Sequence, residues 1–396
     1  MKASGKIGMG LVGPGFIAPH HIDAVRRLGS VEVLAIAGSS EASARDKASR
    51  FGVPRYYGNY EDLINDPEID VVHNTTPNFM HFPVSMAAIA AGKHIVSDKP
   101  LALTVQQCCT LRDAAEAAGV VNAVTFNYRG NPLVQQARSM ISAGEIGPVV
   151  FVRGHYLQDW LTDEHVYSWR VDPAKGGDSS ALADIGSHWC DLAEHIVGSK
   201  ISAVLADINT VVKTRYAGGG SAEAFQQNNT EAKAPVAVPG EDLASVLLRF
   251  ENGARGCFSV GQVLPGHKND LEIDISGRAG SLQWSQERQN ELWIGRHDRP
   301  NSVMAKDPSL MSPQARVYTH LPGGHQEGWS DAFFNVIADI YRWIEAGGEQ
   351  HSRPATVCTF AEATRVCRLI EAMLQSHAKG GVWQKIPREE EVCSRP

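Results

Sequence analysis

The sequence of 396 residues has no excess of basic charge: 37 Lys and Arg against 44 Asp and Glu leave a formal charge of −7. A chain without a basic block is a poor partner for nucleic acid or an anionic membrane surface, and neither is expected as a ligand. It has no uninterrupted apolar run near the ~18 residues that a membrane span needs. It lacks the marks of a secretory signal. The short apolar run near the N-terminus is interrupted by Gly8, Gly10 and Gly13 and ends at Pro14, and no h-region or cleavage site follows. The Arg26-Arg27 pair lies inside a helical pattern and is not read as an export signal. The seven cysteines include no CxxC, and the adjacent Cys108 and Cys109 suit neither zinc nor an unstrained disulfide. Reduced structural thiols and a cytoplasmic location are therefore expected. No internal repeat is present. What remains is a chain 43% hydrophobic, enough for a sizeable core and against global disorder.

Length suggests about two domains at ~150 residues each. Over the first ~125 residues short apolar runs alternate with helical patterns. The runs are Lys6–Val12, Val31–Ala37, Asp70–His73, His94–Ser97 and Val120–Phe126. The helices are Ile17–Leu28, Glu41–Phe51, His81–Ala91 and Thr104–Ala118. This alternation predicts βαβ units and a parallel sheet. After a helix at Pro132–Ser142, long alternating strands dominate, as in Leu271–Ile275, and short turns such as Glu251–Gly253 join them. These predict a large, mostly antiparallel open sheet. Helices return at Gly328–Ala346 and Thr359–His377. The fold class is α/β: a doubly wound Rossmann domain over residues 1–128 and a second α/β domain over 129–396, with the C-terminal helices able to pack back on the first. Tyr216–Gly240 reads as a surface flap or crossover, and Pro387–Pro396 as a polar tail.

Gly13-Pro-Gly15-Phe-Ile-Ala18 fits G-x-G-x-x-[G/A] between a strand and a helix. Gly13 permits the tight turn, Gly15 gives close access to a pyrophosphate, and the helix N-terminus then faces the phosphates. The competing reading is a tight turn with no ligand. The second strand ends Ala37-Gly-Ser39-Ser40 without the carboxylate that usually binds the adenosine ribose. Ser39, Ser40 and Arg45 could receive a 2′-phosphate or a plain ribose, so the cofactor is NAD or NADP, with a lean to NADP. Thr75-Thr76-Pro77-Asn78 and Asp98-Lys99-Pro100 both end parallel strands, where ligands bind. Lys99 there is less easily a mere surface charge. Asp184 and His188 are four residues apart, and His188 and Asp191 three, on what reads as one helix face. Flanking carboxylates would orient a general-base histidine. The same histidine could instead satisfy a buried helix. The spacing of His188, Asp191 and His195 is not HExxH, and no metal is expected.

Together these segments resemble the Gfo/Idh/MocA oxidoreductases, the family of glucose–fructose oxidoreductase and inositol dehydrogenase. The resemblance covers nearly the whole chain. It rests on the glycine turn, Thr76-Pro-Asn78 with His81, Gly92-Lys-His-Ile-Val-Ser-Asp98-Lys99-Pro100, Asn127-Tyr-Arg129 and Asp184-Ile-Gly-Ser-His188-Trp-Cys-Asp191. It implies a catalytic group of Lys99, Asp184 and His188. It also implies cofactor contacts from Gly13, Gly15, Phe16, Ile17, Thr76, Pro77, Asn78, His81, Asp98 and Lys99. The family's usual Glu-Lys-Pro is here Asp98-Lys-Pro, a carboxylate shorter by one methylene. An open C-terminal sheet often forms the family's oligomer interface, which implies a dimer or tetramer.

Groups suited to a polyol lie near the expected cleft: Tyr128, Arg129, Tyr156, Gln158, Asp159, Trp160, Trp169, Arg170 and His325, beside Lys99, Asp184 and His188. Aromatic faces with amide, carboxylate and guanidinium groups suit a sugar, although each residue alone could equally be core. No basic cluster argues for a sugar phosphate. The expected activity is transfer of a hydride between nicotinamide and a secondary hydroxyl or ketone of a neutral sugar, glycoside or inositol. One alternative is a glycosidase- or lyase-type enzyme that uses bound NAD transiently. A catalytically silent binding protein is a third reading, which an intact Lys99, Asp184 and His188 disfavour.

Overall fold

In this computed structural model, residues 5–217 and 234–387 are described. They form two compact units. The first comprises residues 1–126, 174–177 and 333–364; the second comprises 127–173, 178–332 and 365–396.

The first unit holds a parallel sheet of β1 (Ile7–Val12), β2 (Val31–Ala37), β3 (Arg55–Tyr57), β4 (Val71–Asn74), β5 (His94–Ser97) and β6 (Asn122–Val124). Its order is β3-β2-β1-β4-β5-β6, with every pair parallel. The order reverses between β1 and β4, and in such sheets ligands bind beyond the strand ends at that point. Parallel strands covered on both faces read as continuous apolar runs, and all four residues of β4 are buried. β3 is too short and too polar to register as an apolar run, which is why the sequence pattern does not show it. Residues 333–364 belong to this unit. The Val124 amide donates to the Cys358 carbonyl, and the Phe360 amide donates to Asn122 Oδ1.

A buried chain of polar rings joins the helix Ala18–Leu28 to this sheet. His21 Nδ1 lies 2.8 Å from His73 Nδ1, and His73 Nε2 lies 3.0 Å from the Tyr341 hydroxyl. Both histidines have no exposure. Burial lowers the His21 pKa to about 4 and pulls His73 well below its usual value.

The second unit is built on a nine-stranded sheet. Its strands are β7 (Val149–Leu157), β8 (Ile201–Asn209), β11 (Leu243–Phe250), β12 (Arg255–Gly261), β13 (Asp270–Gly277), β14 (Ser281–Ser285), β15 (Glu291–Gly295), β16 (Ser302–Ala305) and β17 (Gln384–Lys385). A separate antiparallel ribbon pairs β9 (Thr214–Ala217) with β10 (Ala234–Ala237). The large sheet runs β16-β15-β14-β13-β7-β12-β11-β8-β17, and only β7 and β12 pair in parallel. The expected flap at Tyr216–Gly240 thus has paired flanks, while its centre, 218–233, lies outside the described residues, as does most of the expected polar tail. One face of the sheet packs on the helices Pro132–Ser142 and Ser187–Val197. Trp189 stacks on Phe258 at 4.5 Å and donates its indole N–H to the Glu272 carbonyl. A Cβ on Gly154 would lie 2.0 Å from that carbonyl oxygen and 2.6 Å from the indole nitrogen, so the helix seats there only over glycine.

Burial of the two histidines fixes the sign of one pH effect. An unfolded imidazole takes up a proton below about pH 6.5, whereas His21 folded stays neutral to about pH 4. Folded stability is therefore lost as pH falls through that window, by up to roughly 3 kcal/mol for His21, with His73 acting in the same direction. Urea unfolding at pH 7 and pH 5 is expected to show a lower midpoint at pH 5. An unchanged midpoint would contradict the buried neutral pair.

Candidate active site

The first unit gathers its cofactor-type residues at the carboxyl ends of β1, β2, β4 and β5. Gly13 adopts φ +87°, and a Cβ there would lie 2.7 Å from the Thr76 backbone. The Thr75 hydroxyl donates to the carbonyls of Val12 and Gly13, pinning the glycine turn to the end of β4. Around Gly15 the space is open: a Cβ there would meet nothing within 4 Å. The helix Ala18–Leu28 that follows has no side-chain N-cap and no acidic residue in its first turn. Uncapped N–H groups with the positive end of the helix dipole favour an anion. Open space over Gly15 and an uncapped helix end fit a dinucleotide pyrophosphate. Phe16 is exposed beside the turn, and Ile17 is half-buried at the helix start.

At the end of β2, Ser40 caps the helix Glu41–Phe51 by accepting from the Ser43 amide, and Ser39 and Arg45 are exposed. Asn74 orders the next turn, its carbonyl accepting from the Thr76 hydroxyl at 2.7 Å and its amide donating to Ser85 and to the His81 carbonyl. Asn78 is buried and donates to the Gly176 carbonyl. His81 places Nδ1 2.6 Å from the Pro100 carbonyl and Nε2 2.8 Å from the Thr76 carbonyl. Burial lowers its pKa, against the pull of Asp98 and of the two carbonyls. His81 therefore ties the Thr76 turn to the Lys99-Pro100 turn. Asp98 Oδ1 accepts from the Lys99 amide at 2.8 Å and from the Thr125 hydroxyl at 2.9 Å. The shorter carboxylate thus shapes the backbone that presents Lys99.

In the second unit, Asp184 and His188 lie on one helical segment. Its first turn, Leu182–Gly186, is a π turn, and regular helix runs from Ser187 to Val197. Glu241, 2% exposed, holds the start of this segment by accepting from the Ser180 and Leu182 amides and the Ser179 hydroxyl. Asp184 faces Arg170 at 3.4 Å and accepts from Gln262 Nε2 at 2.7 Å. Arg170 in turn lies 4.5 Å from the Trp169 ring and 5.9 Å from the Trp160 ring. His188 packs edge-on against Tyr128 and Tyr156, with ring centroids 5.2 and 6.3 Å away. Tyr128, Tyr156, Gln158 and Trp160 thus gather with Asp184 and His188.

Arg129 grips Asp191 with two hydrogen bonds, 2.8 and 2.6 Å, in a buried ion pair. Arg129, whose carbonyl also accepts from Gln135, is thereby a brace between the segment after β6 and the helix. Asp159 is bound by Lys268 at 2.6 Å and by the Gly266 amide. His325 is exposed on a surface loop, with Nδ1 3.4 Å from the Gly323 carbonyl. Two residues the sequence reading missed are Gln262 and Asn269. The available signal was position: Gln262 directly follows β12 and Asn269 directly precedes β13, at the strand ends where β7 also stops. Among the described residues no cluster of metal-ligating side chains is present.

Residues 7–126 match the NAD-binding Rossmann-fold domain of the GFO/IDH/MocA oxidoreductases, and residues 134–283 match a GFO/IDH/MocA C-terminal domain. The chain belongs to the Gfo/Idh/MocA oxidoreductase family. Levoglucosan dehydrogenase of Pseudarthrobacter phenanthrenivorans is 31% identical over 96% of this chain and 98% of its own length. A solved levoglucosan dehydrogenase in complex with NADH and L-sorbose superposes with a TM-score of 0.87 at 30% identity, covering 96% of this chain and 99% of that one. An inositol dehydrogenase homologue from Azotobacter vinelandii, complexed with NAD+, gives 0.84 at 28% identity, over 96% and 97%. As a member of this family the chain is an NAD-binding oxidoreductase, with the glycine turn at the head of its NAD-binding domain.

The two glycines of that turn should respond differently to a side chain. Gly15→Val is expected to leave the thermal midpoint almost unchanged and to weaken NADH binding by about tenfold or more, read by fluorescence titration. Gly13→Val should instead cost about 1–3 kcal/mol in strain alone. Equal effects of the two on folding would contradict the assigned roles.

Proposed function

We propose that this enzyme oxidises a secondary hydroxyl, or reduces the matching ketone, of a neutral sugar, glycoside or inositol. The observation that carries the reading is charge balance around Asp184 and His188. Arg170 faces Asp184, Arg129 pairs with Asp191, and Lys268 pairs with Asp159, so each of these three cations is matched by a carboxylate of the chain rather than held for a phosphate or carboxylate of a substrate. The Trp160 and Trp169 rings beside Arg170 supply the apolar faces that a sugar ring needs. The activity named for one relative, on levoglucosan, lies within the same chemical class.

In the oxidation direction His188 takes the hydroxyl proton as general base. Lys99 donates a hydrogen bond to the same oxygen and stabilises the charge that develops there. Asp184, held by Gln262, orients a neighbouring hydroxyl. Bound NAD supplies the hydride acceptor at nicotinamide C4. Ser39 and Arg45, exposed after a β2 that ends without a carboxylate, favour acceptance of NADP as well. The open face of the nine-stranded sheet supports self-association, since Phe151 and Leu247 are 38% and 48% exposed there among polar neighbours. Thiols at Cys108, Cys109, Cys190, Cys257, Cys358 and Cys367, none in a disulfide, agree with a reducing compartment.

A panel of monosaccharides, 1,6-anhydrosugars, glycosides and inositols, assayed with NAD and NADP by absorbance of the reduced cofactor, tests the reading. Turnover with at least one neutral polyol is expected; product formation without net cofactor reduction would favour the lyase-type alternative. Lys99→Ala and His188→Ala should each lower kcat by about 10³-fold while the protein stays folded. Near-native kcat in either removes that residue from the mechanism. Ser39→Asp should move cofactor preference toward NAD, by repulsion of a 2′-phosphate; an unchanged NADP-to-NAD ratio means the phosphate is not read at that position.

A further inference from the structure

We propose that three carboxamides, Gln262, Gln158 and Asn269, form one positioning device that ties Asp184 to the Tyr128 ring packed against His188. The inference rests on the function proposed above and assigns these amides a role in it. Gln262 Nε2 donates to Asp184 Oδ2 at 2.7 Å and to Gln158 Oε1 at 3.4 Å. Gln158 Nε2 donates to Asn269 Oδ1 at 3.2 Å, and Asn269 Nδ2 donates to the Tyr128 hydroxyl at 3.2 Å. Tyr128 then meets His188 edge-on at 5.2 Å.

The polarity of this chain is fixed at two places. A carboxylate only accepts, so Gln262 must turn its amide nitrogen to Asp184. An indole N–H only donates, and Trp160 Nε1 reaches Gln158 Oε1 at 3.0 Å, so the Gln158 nitrogen must face Asn269. The Asn269 oxygen then takes two donors, Gln158 and the Tyr156 hydroxyl at 2.6 Å. Tyr156 has spent its only proton there, so its 2.7 Å contact with Tyr128 uses the Tyr128 proton. Turning Gln262 over sets acceptor against acceptor at Asp184, and turning Gln158 or Asn269 over sets donor against donor between them or at Trp160. Gln158 and Gln262 are 4% and 1% exposed, which makes an unmet partner costly. Gln158, Tyr128 and Tyr156 therefore spend their hydrogen-bonding groups inside the protein, as positioning residues rather than as substrate ligands.

The topology explains why these amides meet. Gln158 follows β7 and Gln262 follows the parallel β12, while Asn269 precedes the antiparallel β13, so all three stand at the same end of three neighbouring central strands. The device also answers a local need. Asp184 sits in the π turn, where the wider backbone bonding does not enforce the i,i+4 alignment of a regular helix with His188.

The test is a double-mutant cycle of Gln262→Met and Asn269→Leu in the full-length enzyme, assayed with NAD and the fastest sugar of the panel. Each single change should lower kcat by about tenfold or more through misplacement of Asp184 or His188, with KM for NAD unchanged within about twofold. The double variant should lose little beyond the worse single one, because one chain is broken once. Asn269→Asp keeps the shape but puts a charged acceptor in place of the donor to Tyr128, so it too should lower kcat about tenfold or more even if Asn269→Leu folds poorly. Native kcat in Asn269→Asp and Gln262→Met, or two losses that simply multiply, would overturn the proposal. His188→Ala separates the two levels: if it retains turnover, the base assignment fails, and if it is inactive while the amide variants are normal, only the positioning device fails.

Discussion

The helix that carries His188 can lie on the nine-stranded sheet because residue 154 has no side chain. The Trp189 indole occupies that space, stacks on Phe258 and bonds the Glu272 carbonyl, so one glycine sets the height and rotation of the helix. His188 is the next residue back along the chain, and its direction follows from the seat of Trp189. The N-terminal end is fixed separately, by the buried Glu241 carboxylate on the Ser180 and Leu182 amides. Burial raises the Glu241 pKa, while the amides and the Ser179 hydroxyl act to keep it ionised. Arg129 on Asp191 holds the middle. With three separate anchors the segment can contain a π turn and still present Asp184 in one place.

The first unit uses side chains on backbone for the same end. Its functional residues stand on turns, which lack the regular hydrogen bonding of strands and helices. Thr75 holds the glycine turn, Asn74 holds the Thr76 turn, Asp98 holds the Lys99 peptide, and His81 joins two turns through their carbonyls. Each of these polar groups would be costly if buried without a partner. A loss at one turn therefore passes to the next, and His81 is where the ends of β4 and β5 become one structure.

Much of this was legible in the residue pattern. Both families of periodicity appear plainly, and β2 and β5 stand where the apolar runs put them. The glycine turn was readable because its physics is local: a positive φ and an open approach need glycine whatever surrounds them. The strands β15 and β16 and the short β3 were not, since runs of three to five residues are too brief to show a strand period. The pairing of Asp191 with Arg129 was hidden for a different reason. Spacing tells which side chains share a helix face, but not which distant residue reaches that face first, and here it is Arg129. The π turn was equally hidden, because no residue type specifies it.

Gln262 and Asn269 mark the limit most clearly. An amide has no preferred ionisation and no motif, so a single Gln or Asn says nothing about its role until its partners are known. Those partners come from the register of β7, β12 and β13, which sequence pattern does not supply. Carboxamides are nonetheless the suitable groups here. A lysine or arginine in place of Gln262 would add a cation against Asp184 and upset the charge balance that suits a neutral substrate. A carboxylate would face Asp184 as a like charge, and one of the two would have to hold a proton. An amide supplies a donor on one side and an acceptor on the other at no net charge. That is the property a chain needs if it is to run from an acceptor-only carboxylate to a tyrosine hydroxyl without altering the electrostatics of the base beside it.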